Sequence, residues 1–211
     1  MQAQFKAQFI VVEGIEGAGK STVIEYLKKY LALKNIACIQ TREPGGTELA
    51  EGLRDLLKKN YTQETIYPET EVLLLYAARL QLVNNIIKPA LAKNIWVIGD
   101  RHDLSTIAYQ AGGRGVSEQL ITNIKQAIIG DFSFDFCLYL DIDPKQGLER
   151  ARSRGELDRI EQEDLNFFTK IRNKYLKLAQ SNQNIQTIDS GQSLDNLRED
   201  IEKTMDERYS W

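Results

Sequence analysis

The sequence predicts an α/β fold: a parallel sheet of five strands flanked by helices, with a short lid. Five short apolar runs alternate with longer stretches of helical periodicity, the pattern of a parallel sheet whose strands are joined by crossover helices. The 211 residues, 42% hydrophobic and 27% charged, can bury one sizeable core. No internal repeat, low-complexity tract or linker-like shift divides the chain, so residues 1–211 read as a single domain with a lid at about 150–161.

The strands are expected at Phe9 to Glu13, Ile36 to Thr41, Ile95 to Gly99, Phe136 to Asp141 and Ile185 to Ile188, each too apolar to have a wet face. Helices are expected at 20–34, 47–58, 69–92, 103–129 in two pieces, 144–153, 161–181 and 193–208. Asp143 can cap a helix whose first turn holds Pro144, Gly130 can end another, and Pro89 should end or kink the long third helix near its close.

A net charge of -3 supplies no general attraction for nucleic acid or an anionic membrane, so any phosphate site must be local. Cys38 and Cys137 lack metal-ligand spacing and read as two buried thiols in a reducing compartment. The N-terminal stretch has no export-type apolar region, and no segment approaches the roughly 18 apolar residues that span a bilayer. The expected location is the cytoplasm.

Gly14-Ile15-Glu16-Gly17-Ala18-Gly19-Lys20-Ser21, continuing into Thr22, fits the phosphate-binding loop pattern G-x-x-x-x-G-K-[ST], and it lies between an expected strand and an expected helix. Its glycines let backbone N–H groups turn toward phosphate oxygens, the helix offers its positive end, and Lys20 adds a point charge for β- and γ-phosphates. Ser21 is the natural Mg²⁺ ligand. Glu16 repels an anion at close range. Either it points into solvent, or it meets a sugar hydroxyl of a second substrate lying beside the loop.

Two arginines are delivered to the carboxyl rim of the sheet, where open α/β folds bind ligands: Arg42, within Thr41-Arg42-Glu43-Pro44-Gly45-Gly46-Thr47, and Arg101, within Gly99-Asp100-Arg101-His102. Their planar forks suit a phosphate. Asp100 ends the strand beside the loop strand and could hold Mg²⁺, although Asp100 and Arg101 could instead pair with each other. Arg79 lies in a strongly apolar helix, so its head needs either a carboxylate of the fold or a ligand carbonyl. His102 is the lone histidine. It is not needed as a base, because a phosphate-monoester acceptor is already mostly ionised at neutral pH, its second pKa being near 6. Arg150, Arg152, Arg154 and Arg159 crowd the segment after the fourth strand, where Gly155 offers a joint. They form either a lid that brings an arginine to a transferring phosphoryl group or a solvated face paired with Glu149, Glu156, Asp158 and Glu161.

Together the acidic third residue of the loop, Arg42-Glu43-Pro44-Gly45-Gly46-Thr47, Tyr76-Ala77-Ala78-Arg79, Asp100-Arg101 with Ser105 and Ala108-Tyr109-Gln110, and Gly155-Glu156-Leu157-Asp158-Arg159-Ile160-Glu161 resemble the bacterial thymidylate kinases over nearly the whole chain. The resemblance implies the P-loop NTPase fold and transfer of the γ-phosphate of ATP, with Mg²⁺, to dTMP, with a homodimer as the usual assembly. It implies that Glu16 meets the 3′-hydroxyl, Arg101 with Arg42 binds the acceptor phosphate, Arg79 hydrogen-bonds thymine, and Tyr109 crowds the sugar 2′ position. Ser105, Thr106 and Gln110 fall at the base site, where the family often has asparagine in place of Thr106. Lys20, Glu16, Arg101 and a lid arginine, Arg154 or Arg159, would act on the transferring group. Leu75 stands where many members stack a phenylalanine on the base, and it covers that face without a ring.

Two other activities are weighed. A deoxynucleoside kinase would use Glu13 or Glu16 as a base, but an uncharged nucleoside gives the rim arginines nothing to bind. A GTPase-type switch would carry Asn-Lys-x-Asp, and Asn173-Lys174 continues with Tyr175 and Leu176.

Overall fold

All five apolar runs form strands of one parallel sheet: β1 (Phe9–Glu13), β2 (Cys38–Arg42), β3 (Trp96–Asp100), β4 (Phe136–Asp141) and β5 (Ile185–Asp189), in the order β2-β3-β1-β4-β5. The computed structural model describes residues 6–153 and 157–211. β1 is buried at every position because it is central and has helices on both faces. The edge strands β2 and β5 are less buried, with only Thr41 buried in β2 and only Ile185 and Ile188 buried in β5. Cys38 is therefore only half-buried, contrary to the expectation of two buried thiols, whereas Cys137 on β4 is fully buried. Every strand ends in a charged residue, so the carboxyl rim carries Glu13, Arg42, Asp100, Asp141 and Asp189 together.

The helices cover this sheet through apolar stripes at helical spacing. α1 (Lys20–Leu33) buries Val23, Ile24, Leu27, Tyr30 and Leu31. α8 (Leu165–Ser181) buries Phe167, Phe168, Ile171 and Tyr175, and α9 (Leu194–Tyr209) buries Leu197, Ile201 and Met205. α2 (Glu48–Lys58) and α7 (Pro144–Arg152) follow β2 and β4. Thr47, Asp143, Asp164 and Ser193 each cap the helix that follows with a side-chain oxygen. These caps place the helix starts at 48, 165 and 194, where periodicity alone gave 47, 161 and 193.

The expected helix 69–92 is α3 (Pro68–Leu82), a wider turn at Val83–Ile87, and α4 (Lys88–Ala92). Pro89 can make no backbone hydrogen bond to its own preceding turn. The chain widens just before it, Lys88 N–H reaching back to the Val83 carbonyl, and α4 then starts with Pro89 in its first turn. The segment 103–129 likewise divides into α5 (Asp103–Thr106), a second wide stretch at Ile107–Gly113, and α6 (Glu118–Ile129).

At the amino end of the sheet Trp96 meets Tyr209 with ring centroids 4.9 Å apart, and Trp211 stacks on Tyr209 at 4.9 Å. Trp211 Nε1 donates to Tyr30 OH at 2.9 Å, tying the C-terminus to α1. No helix among the described residues is long and apolar enough to cross a membrane.

Leu27 is fully buried between α1 and the sheet. Leu27→Ala should cost about 2–5 kcal/mol in denaturant unfolding with the m-value unchanged; a loss below about 1 kcal/mol would contradict this packing.

Candidate active site

The glycine-rich loop leaves β1 and enters α1 against the start of α7. A Cβ on Gly17, whose φ is +74°, would lie 2.0 Å from the Gly147 carbonyl oxygen, and one on Gly147 would lie 2.6 Å from the Glu16 carbonyl oxygen. The two backbones touch because neither residue has a side chain. Lys20 Nζ lies over the loop, donating to the Gly14 and Ile15 carbonyls, both at 3.1 Å. Burial draws its ammonium down to about 8, with Arg101 adding to the shift and Asp100, Glu16 and Glu13 opposing it. Asp100 faces the same space, and its Oδ1 is buried without a hydrogen-bond partner among the described residues.

Beside the loop, Arg101 occupies a left-handed backbone conformation, φ +71°, that turns its side chain back over β1. Its NH1 donates to the Gly14 carbonyl at 2.8 Å and to Ser105 Oγ at 3.2 Å, and its NH2 donates to Glu16 Oε1 at 2.7 Å and to Tyr109 OH at 3.0 Å. Tyr109 OH donates to Glu16 Oε2 at 2.7 Å. Glu16 therefore turns into the cleft rather than to solvent, and Arg101 pairs with it rather than with Asp100. The second wide turn, closed by Arg114 N–H to the Tyr109 carbonyl at 2.9 Å, sets both Tyr109 and Gln110 on the cleft wall.

The Arg101 turn stands on Glu13, the last residue of β1. This wholly buried carboxylate accepts from His102 N–H at 2.7 Å, Ser105 Oγ at 2.6 Å and Tyr175 OH at 2.8 Å. Burial nevertheless pushes its pKa upward against those donors and Arg101.

Arg79 is 1% exposed and meets both carboxylates and backbone. Its Nε donates to Glu43 Oε2 at 2.8 Å, and its NH2 donates to Thr106 Oγ1 at 2.9 Å and the His102 carbonyl at 3.2 Å. Its NH1 lies 3.5 Å from Asp103 Oδ1 and has no hydrogen-bond partner among the described residues. Of the two partners expected for this head, the structure shows the carboxylate of the fold.

Leu75 is half-buried on that wall, and Arg42, exposed and paired with Glu51 at 2.7 Å, lines the rim. Thr106 and Ser105 lie in the wall as predicted, but their hydroxyls serve Arg79 and Glu13. Gln110 donates to Glu71 at 3.0 Å, leaving its buried Oε1 unpartnered among the described residues. Arg159 also goes to Glu71, NH1 to Oε1 at 2.6 Å, while its Nε donates to the Leu57 carbonyl at 3.0 Å. The structure thus anchors Arg159 to α2 and α3. Arg154, Gly155 and Glu156 lie outside the described residues.

Three cleft residues, Glu43, Arg54 and Glu71, escape the sequence reading as ligand-facing groups, and Glu13 escapes it as the support beneath the Arg101 turn. Arg54 lines the cavity with NH1 on the Pro44 carbonyl at 2.7 Å. Its charged neighbours in α2 hide it among ordinary surface residues, whereas Glu71, beginning an apolar helix, carries the burial signal that could have found it.

These walls enclose about 400 Å³, the size of a small-molecule site. A phosphate-binding loop at one end and an arginine-lined pocket at the other define a P-loop phosphotransferase that receives a second, anionic substrate. The family model for thymidylate kinase matches residues 12–201. The chain is 53% identical over 200 residues to the thymidylate kinase of Idiomarina loihiensis, covering 95% of this chain and 97% of that protein. It is 52% identical over 208 residues to the thymidylate kinase of Vibrio parahaemolyticus, covering 97% and 98%. The chain belongs to the thymidylate kinase family.

Two outcomes test this geometry. Asp103 is buried, which alone would raise its pKa, but Arg79 and Lys125 outweigh burial and lower it from 3.8 to about 2. A lowered folded value gives stability that is present above about pH 4 and lost as pH falls through about 2. Asp103→Asn should therefore flatten the acid limb of unfolding free energy across that window, and an unchanged slope would refute the assignment. Gly147→Ala must displace the loop at Glu16, so ATP should bind at least about tenfold more weakly, measured by calorimetry; unchanged affinity would show that the contact does not matter.

Proposed function

We propose that this chain transfers the γ-phosphoryl group of ATP to dTMP, giving dTDP and ADP for dTTP biosynthesis in the cytoplasm. The observation that carries the reading is the Arg101–Glu16–Tyr109 cluster hydrogen-bonded against the loop. It sets an anion-binding fork and a hydroxyl-binding carboxylate side by side, the two groups that a nucleoside monophosphate presents.

The donor phosphates lie in the cradle of residues 14–22, with Lys20 on their outer oxygens. A second crevice behind Gly17–Gly19, lined by Arg150, Ser190, Gln192 and Leu194, takes the donor nucleoside. The Ser21 hydroxyl and the unpartnered Asp100 Oδ1 fit Mg²⁺, which favours few protein oxygens and keeps its remaining positions for water and phosphate. When bound, the ion neutralises charge developing on the transferring group. Arg101 and Arg42 hold the acceptor phosphate, Glu16 meets the 3′-hydroxyl, Tyr109 fills the 2′ position, and Leu75 with Arg79 receives the base beside Ser105, Thr106 and Gln110. Catalysis is then positioning and charge neutralisation. Arg154 or Arg159 meets the transferring group, as Arg101 and Arg42 meet the acceptor although each of them also pairs with a carboxylate of the fold. A homodimer would cover Leu73 of α3 and Leu120 and Ile128 of α6, large apolar side chains exposed on neighbouring helices.

Glu13 speaks against a nucleoside kinase. Its oxygens are taken by three donors and it lies outside the cleft lining, so it cannot serve as a base for a 5′-hydroxyl. Nucleotide turnover should require dTMP; equal turnover with thymidine, or turnover only without acceptor, would overturn the reading. Arg101→Ala should raise KM for dTMP by about 100-fold and KM for ATP by less than about threefold, and equal effects would sink the phosphate assignment. Because Lys20 is lowered to about 8, its charge is lost as pH rises through that value. The ratio kcat/KM for ATP should fall above about pH 8 while kcat, read with phosphates beside the ammonium, holds to higher pH; a flat profile to about pH 9.5 would exclude this role.

A further inference from the structure

Among the described residues, the arginines that line the cleft are Arg42, Arg54, Arg79 and Arg101. Three of them are balanced by carboxylates: Arg42 by Glu51, Arg101 by Glu16, and Arg79 by Glu43 and Asp103. Arg54, half-buried on α2, makes no ion pair among the described residues.

The helix does offer it a carboxylate. Glu51 lies one turn earlier, at the i,i+3 spacing that favours pairing along a helix. That carboxylate is drawn instead to the segment after β2. Arg42 donates to both of its oxygens, Nε to Oε1 at 3.2 Å and NH2 to Oε2 at 2.7 Å, and Gly46 N–H donates to Oε1 at 2.7 Å. Arg54 is left with one bond, from NH1 to the Pro44 carbonyl at 2.7 Å, and its Nε and NH2 have no hydrogen-bond partner among the described residues.

This bond sets the unpaired guanidinium beside the two rim arginines. Arg42 and Asp100 are register partners at the ends of β2 and β3, and Glu43 N–H donates to the Asp100 carbonyl at 2.9 Å. Pro44 therefore follows directly on the strand ends that carry Arg42 and Arg101. The electrostatics agree: burial lowers the Arg54 pKa, Arg42 and Arg101 add to the shift, and Glu51 and Asp100 oppose it.

Two guanidiniums already matched by carboxylates offer a phosphate hydrogen bonds but little net charge. A phosphate monoester carries about -1.5 to -2 at pH 7, so it gains most from a cation that the fold has not neutralised. We infer that Arg54 is a further acceptor-phosphate residue, and that its uncompensated charge sets the preference for a nucleoside monophosphate over the free nucleoside. The inference rests on the reading of Arg42 and Arg101 as ligands of that phosphate. A purely structural role is the competing account, in which Arg54 only ties the Pro44 turn to α2. Lysine and glutamine separate the two, because both can donate to the Pro44 carbonyl but only lysine keeps the charge.

The test is calorimetric binding of dTMP, thymidine and ATP to the parent, Arg54→Lys and Arg54→Gln. The parent should bind dTMP at least about 100-fold more tightly than thymidine. Arg54→Gln should weaken dTMP about tenfold or more while thymidine and ATP stay within about twofold, the retained thymidine binding showing that the variant is folded. Arg54→Lys should hold dTMP within about threefold of the parent. The inference is overturned if Arg54→Gln binds dTMP as the parent does, if it loses dTMP and thymidine equally, or if lysine is as weak as glutamine. Equal affinity of the parent for dTMP and thymidine would instead remove the acceptor-phosphate reading beneath it.

Discussion

A guanidinium buried in a cleft wall must have its charge balanced by carboxylates of the fold, and the wall of this cleft is organised around that constraint. Arg79 is balanced by Glu43 and Asp103, Arg101 by Glu16, and Arg159 by Glu71. The carboxylates are in turn occupied by His102, Lys125, Tyr76, Tyr109 and Gln110. Removing one partner of a buried pair leaves an uncompensated charge costing about 3–5 kcal/mol, which ties the precision of the cleft to the stability of the fold. His102 is a meeting point of the two halves: its N–H goes to Glu13 beneath Arg101, and its carbonyl goes to Arg79.

The backbone provides for this network at two places where regular helix gives way. The wide turn at Ile107–Gly113 sets Tyr109 against Glu16 and Gln110 against Glu71, although the two residues are adjacent in the chain. Close approach between α8 and this turn needs Gly112 and Gly113, where a Cβ would lie 2.8 Å from Lys174 Cβ and 2.5 Å from Phe167 Cε2. At the opposite end of the cleft, the contact between Gly17 and Gly147 fixes the loop against α7. Arg159 and Arg114 both reach Glu71, so residues beyond α7 are joined to the same carboxylate that holds Gln110.

Much of this was legible in the chain. The strands were visible because a sheet covered on both faces leaves continuous apolar runs, and the loop was visible because its chemistry fixes both residue types and spacing. Helix ends were less so: Thr47, Asp164 and Ser193 set them through caps that periodicity does not register, and Pro89 widened a helix that the pattern made continuous. Cys38 looked buried because an edge strand keeps the composition of a central one. Glu43, Glu71 and Arg54 were hard to find as cleft residues, since their neighbours from α2, α3 and the β3–α5 turn are assigned only by tertiary packing. Arg159 read as a lid arginine in sequence, where nothing reveals that Glu71 lies within reach.

The C-terminal aromatic stack gives the molecule an unplanned optical property. Both tryptophans of the chain, Trp96 and Trp211, lie in one cluster with ring centroids 5.8 Å apart, at the amino end of β3, whereas the cleft lies beyond its carboxyl end at Asp100. Their emission therefore reports how the last helix is docked and is largely blind to what occupies the cleft. A change in tryptophan signal on adding nucleotide would mean that the whole sheet had carried the effect from one edge to the other.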